Sequence, residues 1–217
     1  MREEIAIGFV HPDTVGWRFC RSLLDSFLAR TVDIIIEARS GPNTGVARNK
    51  IVQSFMDSSA TWLLSVDADM TWTVGDIRAL MRQVDSVEAP IVGALAFESE
   101  PEIRPVLYEF DKKHIQYNIH SYPEDLVQVG LAPVFFGLFH RSVFEKLEDP
   151  WFCYEYKDEP IADESTGFSF RLRDAGIPAY IDTRIKVGHL RLKEVSEADY
   201  PESERLGNKW WAPEEEG

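Results

Sequence analysis

The run Asp67-Ala68-Asp69 sets two carboxylates two residues apart, directly after the apolar-rich stretch Trp62-Leu63-Leu64-Ser65-Val66. Side chains alternate along extended backbone, so both acids point one way and Ala68 the other. Two carboxylates this close repel each other, and a divalent cation lying between them and a phosphate offsets that cost. Hard oxygen ligands suit Mg²⁺ or Mn²⁺, which keep water and substrate phosphate as their remaining ligands. An EF-hand loop also opens on D-x-D, but it needs a helix before it and a glycine at its sixth position. Here a strand pattern precedes and Trp72 stands sixth. Capping of the following helix is the remaining alternative. A position at the end of a buried strand favours ligand chemistry, because ligands of open α/β sheets sit beyond the carboxyl ends of the strands.

The elements around this pair alternate strand and helix patterns, which implies βαβ units and a mainly parallel sheet. Strands are expected at 5–10, 32–36, 62–66 and 91–97. A helix carrying Trp17, Cys20, Leu23, Leu24, Phe27 and Leu28 at helical spacing follows the first, and a helix after the GPNTG turn at 41–45 follows the second. Thr73 is placed to cap a third helix. The later chain reads as a smaller, partly antiparallel part, with strands at 105–110, 115–119 and 127–140 and a short helix from Arg141 to Leu147. A helix over about 163–175 is stopped by Gly176 and Pro178, and strands at 179–182 and 185–190 follow. One domain over 1–190 is expected, with a tail over 191–217 that could act as a mobile lid.

Composition narrows the function classes. The 217 residues carry a formal net charge of −14, which argues against nucleic-acid binding, since phosphate backbones are held by clustered Lys and Arg. No stretch has the roughly 20 consecutive apolar residues that cross a bilayer. The N-terminus enters a strand pattern at once, so no signal peptide is expected. Cys20 and Cys153, the two cysteines, lack zinc-site or redox spacing. A cytoplasmic location is the expectation.

Taken in order, several segments resemble the GT-A glycosyltransferases, especially the family-two-like group. They are GVARN at 45–49, WLLSVDADM at 62–70, FGLFHRSVFEKL at 136–147 followed by PWF, DESTGFSFRLRDAG at 163–176 and VGHL at 187–190. The resemblance implies a Rossmann-like α/β fold of one domain and a nucleotide-diphosphate-sugar donor of UDP or GDP type. It implies a metal, Mn²⁺ or Mg²⁺, bound directly by Asp69, with Asp67 contacting the ribose or reaching the metal through water. The histidine that closes the metal shell in that group falls on His189. The catalytic base falls on Asp163 or Glu164, the acidic pair being shifted by one residue from the family's pattern.

The nucleotide base should then lie across the ends of the first two strands, near Pro12, Glu37 and Arg39. Arg48 and Asn49 stand early in a helix facing the same edge, where Arg48 can help neutralise phosphate. Trp151 offers a ring on which an acceptor sugar could stack. Arg191 and Lys193 could fold over the diphosphate, and Trp210 and Trp211 could anchor that closure. The expected activity is transfer of a sugar to an acceptor hydroxyl of unknown identity, with inversion. A nucleotidyltransferase is the first rival, although FVHPDTVGW lacks the usual Gly-rich basic phosphate loop. A non-catalytic nucleotide-sugar-binding protein is the second.

Overall fold

The computed structural model describes residues 3–99, 102–111, 116–157 and 159–191. Among them a seven-stranded sheet forms the centre, built from β1 (Ile5–His11), β2 (Ile34–Arg39), β3 (Trp62–Asp67), β4 (Ile91–Leu95), β5 (Leu126–Val129), β6 (Phe136–His140) and β7 (Ala179–Lys186). Its spatial order is β5-β7-β4-β6-β3-β1-β2. The sheet is mostly parallel, because β1, β2, β3, β4 and β7 share one direction while β5 and β6 run against it. Smaller two-stranded antiparallel sheets lie outside it. This is the α/β architecture that the alternating pattern implies.

Among the described residues five helices accompany the sheet: α1 (Trp17–Leu28), α2 (Thr44–Met56), α3 (Val74–Leu80), α4 (Arg141–Lys146) and α5 (Glu164–Asp174). They close two apolar clusters, one on each face of the sheet. The cluster under α2, α4 and α5 includes Phe55, Phe139, Phe144 and Phe168. The other, under α1 and α3, includes Phe19, Trp72, Ile77 and Phe136. Central strands buried on both faces read as continuous apolar runs, which is why β1 and β3 are legible from sequence. Thr73 caps α3 in a reciprocal box with Asp76. Gly176, at φ +66°, follows the last turn of α5, a backbone setting that glycine adopts without Cβ strain.

Three expectations are corrected. The stretch 127–140 is two strands, because Gly130 and Pro133 interrupt it. Pro133 has no N–H for a ladder, and the chain turns there through a Val134 N–H to Ala132 carbonyl bond of 2.8 Å. Conversely, 179–182 and 185–190 give one long strand, β7, followed by the short pair Gly188–His189. Finally, α1 forms where its spacing predicts, but most of the apolar residues that carry that spacing do not face the core. Its buried residues are Phe19, Ser22 and Ser26, while Trp17, Leu24, Phe27 and Leu28 are exposed.

Candidate active site

The carboxyl ends of β1 and β3 open on a cleft of about 600 Å³. Val10 and Pro12 from the end of β1 line one side, Ser40 and Thr44 at the start of α2 another, and Asp67 and Asp69 the floor. Asn43 caps α2 by accepting the Val46 N–H (3.1 Å), so the positive end of a 13-residue helix meets the cleft. Sequence reasoning placed Pro12 and Arg48 here. It missed Thr14, Val15 and Gly16, small or apolar residues that carry no motif to mark them.

The two aspartates have different surroundings. Asp67 turns inward, where Arg48 Nη2 donates to its Oδ1 at 2.7 Å. The same guanidinium donates through Nε to Glu164 Oε1 at 3.1 Å. Arg48 and Glu164 are both buried, so a cation and two carboxylates share a largely water-free wall. Burial alone would lower the Arg48 pKa, and the charges and hydrogen bonds of Asp67 and Glu164 more than reverse this. Arg48 is therefore committed to carboxylates rather than standing free for phosphate.

Asp69 turns outward. Its Oδ2 lies 3.3 Å from His189 Nε2 and accepts from Arg191 Nη1 at 2.7 Å. Backbone pairing holds this arrangement: Gly188 and His189 pair antiparallel with Thr71 and Met70, and the Leu190 N–H bonds to the Asp69 carbonyl at 2.7 Å. A Cβ on Gly188 would come within 2.3 Å of Thr71 Oγ1, so glycine permits the approach. Burial pushes the Asp69 carboxyl up, but the His189 hydrogen bond and the charges of His189 and Arg191 outweigh it and hold the group below its ordinary value.

The histidine's other nitrogen gives this pair its chemistry. His189 Nδ1 lies 3.0 Å from the Phe97 carbonyl and 3.3 Å from Arg191 Nη2. A carbonyl can only accept, so the shorter contact is a hydrogen bond donated by Nδ1. Nε2 is left facing the Asp69 carboxylate oxygen. Such a pair is bridged by a proton or a cation, and carboxylate with imidazole is a donor set that suits Mn²⁺. Among the described residues no three or more His, Cys, Asp or Glu side chains group as a metal-holding cluster. The chain would thus offer two ligands, leaving the rest to water and phosphate, as Mg²⁺ and Mn²⁺ sites commonly do.

Other predicted residues are placed elsewhere. Glu37 pairs with His11 and Arg39 with Asp13, and both line a separate hollow beside Lys50, Gln53 and Ser54 rather than the cleft. Asn49 bonds the backbone of Phe152 through both its amide groups, at 2.8 and 2.9 Å, which makes it a brace between α2 and the loop after α4. Trp151 is a correction: it is buried, its indole N–H donates to the Phe144 carbonyl at 2.9 Å, and its ring packs edge-on against Phe144. It offers no open face to a sugar. Asp163 is the N-cap of α5, accepting from the Thr166 N–H and hydroxyl at 2.8 and 2.9 Å, and it faces a second cleft of about 500 Å³. Of the two acids, Glu164 alone is tied to the Asp67 wall. Lys193, with Trp210 and Trp211, lies outside the described residues.

Neither a protein-family model nor a curated protein sequence matches the chain. Solved structures do. A197 from STIV superposes with a TM-score of 0.61 at 14% identity, covering 87% of this chain and 86% of that one. GalNAc-T7, solved with UDP, GalNAc and Mn²⁺, superposes with a TM-score of 0.63 at 12% identity over 88% of this chain. The chain spans only 44% of that protein's length. Identities this low show the fold alone, and that fold is GT-A-like.

Proposed function

We propose that the protein is a metal-dependent glycosyltransferase that moves a sugar from a nucleoside diphosphate to an acceptor hydroxyl. The observation that carries this reading is the approach of His189 Nε2 to 3.3 Å from the Asp69 carboxylate, beside a cleft beyond the carboxyl ends of β1 and β3. UDP is the first donor nucleotide to test, because the structural neighbour GalNAc-T7 was solved with UDP and Mn²⁺.

In this reading Asp69 and His189 hold the divalent cation, which when bound supplies neutralisation of the leaving diphosphate. Arg191, a cation on Asp69 in the structure, moves to the phosphate oxygens when the donor enters. The N-terminal turn of α2, with Thr44 in the cleft, offers backbone N–H groups to the same phosphates. Asp67 is fixed by Arg48 at the cleft floor, where its partly exposed carboxylate can accept a ribose hydroxyl. The acceptor oxygen attacks the anomeric carbon, the bond from that carbon to the diphosphate oxygen breaks, and the hydroxyl proton passes to a carboxylate. Glu164 takes that role here, because it joins the cleft through Arg48, whereas Asp163 is a helix cap turned to another cleft.

Nucleoside-diphosphate release from a panel of nucleotide sugars with Mn²⁺ tests this assignment. Glu164→Gln should lower turnover by about 10²-fold or more, the usual scale for a general base. Asp163→Asn should retain turnover. Full activity in the Glu164→Gln variant would remove Glu164 from the chemistry.

A further inference from the structure

Helix α1 presents to solvent the residues that a core helix would bury. Trp17 is 72% exposed, Leu28 70%, Leu24 54% and Phe27 45%. Trp17, Leu24 and Leu28 are seven and four residues apart, so at 3.6 residues per turn they fall along one outer crest. Rolling the helix to hide them is opposed from inside. Ser22 donates to the Trp72 carbonyl and accepts its N–H, at 2.7 and 3.0 Å, and Ser26 accepts the Trp72 indole N–H at 2.9 Å. Single exposed apolar residues are ordinary on a protein surface, but an aligned row of them marks a contact face.

The ground beside this crest is basic, although the chain carries a net charge of −14. Arg18 and Arg21 lie on α1, and Arg30 follows its end. Arg78 belongs to α3 and Arg82 comes just after it. Of the five, only Arg21 has a carboxylate partner among the described residues, Asp25 at 2.8 Å. Arg30, Arg78 and Arg82 converge on one hollow of about 490 Å³ between the end of α1, α3 and the start of β1. Its one acid is Glu3, whose carboxylate already accepts the Trp62 indole N–H at 2.7 Å.

We infer that this face docks the protein on an anionic lipid surface, with the α1 crest in the headgroup–acyl boundary and the arginine hollow on lipid phosphates. An apolar row flanked by arginines is the pattern of helices that lie in the plane of an interface. Arginine forks also match phosphate oxygens. The acidic remainder of the chain is screened beyond about 8–10 Å at physiological salt, so the local charge decides. A second copy of the chain is a poorer occupant, because a two-fold pairing along α1 would bring the same arginine-rich rim against itself.

Co-sedimentation of the full chain with vesicles tests this, comparing phosphatidylcholine alone with phosphatidylcholine containing phosphatidylglycerol. The protein should pellet with the mixed vesicles, less so as salt is raised, and stay in solution with phosphatidylcholine alone. Arg78→Gln with Arg82→Gln should weaken partitioning about 25-fold, at roughly fivefold per charge. Leu24→Ser with Leu28→Ser should weaken it about tenfold or more. Unchanged circular dichroism and urea midpoints would accompany both, and Trp17→Ser serves where a double variant fails to fold. Several results would overturn the inference: no pelleting of the wild type, equal pelleting with neutral vesicles, or crest variants that pellet like the wild type. So would a concentration-dependent dimer abolished by the crest changes, or stabilisation by inorganic phosphate, in either case without vesicle binding.

Discussion

Asp67 and Asp69 are two residues apart and belong to two different electrostatic regions. The inner one, Arg48 with Asp67 and Glu164, sets a buried and permanently charged guanidinium between two carboxylates. The outer one, Asp69 with His189 and Arg191, compensates a half-exposed carboxylate with partners nearer the surface. A buried network of the first kind is costly to open and so holds its shape. In the proposed function the outer cluster exchanges these partners for a cation. The difference suits Asp67 to architecture and, in the proposed function, Asp69 to ligand chemistry.

The largest effect should follow from breaking the inner region. Arg48→Met leaves Asp67 and Glu164 facing each other without a cation, and should cost about 3–5 kcal/mol in urea unfolding. Adding Glu164→Gln should recover part of that loss, and strict additivity would mean that the two groups do not interact. Asp69→Asn, by contrast, should change stability by less than about 1 kcal/mol, because Asp69 and its Arg191 partner are both substantially exposed. A large loss there would erase the distinction between the regions. His189→Ala sharpens it further: Mn²⁺ affinity measured by calorimetry with nucleotide present should fall at least about tenfold, with the urea midpoint little moved.

The smallest effect concerns the cleft rim, and its sign is opposite to that of the carboxylates. The His11 pKa is raised above 6.5, first by the Glu37 hydrogen bond and then by the Pro12 carbonyl. The folded state therefore binds this proton more tightly than the unfolded chain does. Its contribution is complete below pH 6.5 and is lost as pH rises through the raised value. Melting curves of the wild type and His11→Asn should differ below that window and converge above it.

The sheet was legible because its central strands are buried on both faces and read as unbroken apolar runs. Asp69 and His189 were singled out in sequence by a carboxylate at a strand end and a glycine–histidine pair, and the fold brings them within 3.3 Å of each other. Three features were hidden, for separate physical reasons. Spacing gave α1 its helix and the wrong buried face, since Ser22 and Ser26 are buried by bonding Trp72, which no local pattern reports. Trp151 and Asn49 look like surface recognition groups in sequence, yet their polar atoms are satisfied by the backbone of Phe144 and Phe152. Arg48 was expected at phosphate because Glu164, 116 residues away, could not be seen to claim it.

The central claim is that Asp69 serves a cation shared with a nucleoside diphosphate, and thermal unfolding with UDP, with and without Mn²⁺, tests it most directly. At ligand concentrations about 100 times Kd, binding contributes about 2.7 kcal/mol, which for a domain of this size raises Tm by roughly 5–10 °C. That rise should require both UDP and Mn²⁺ in the wild type, and Asp69→Asn should abolish its metal dependence. An equal rise without Mn²⁺, or an Asp69→Asn protein that responds like the wild type, would contradict the account.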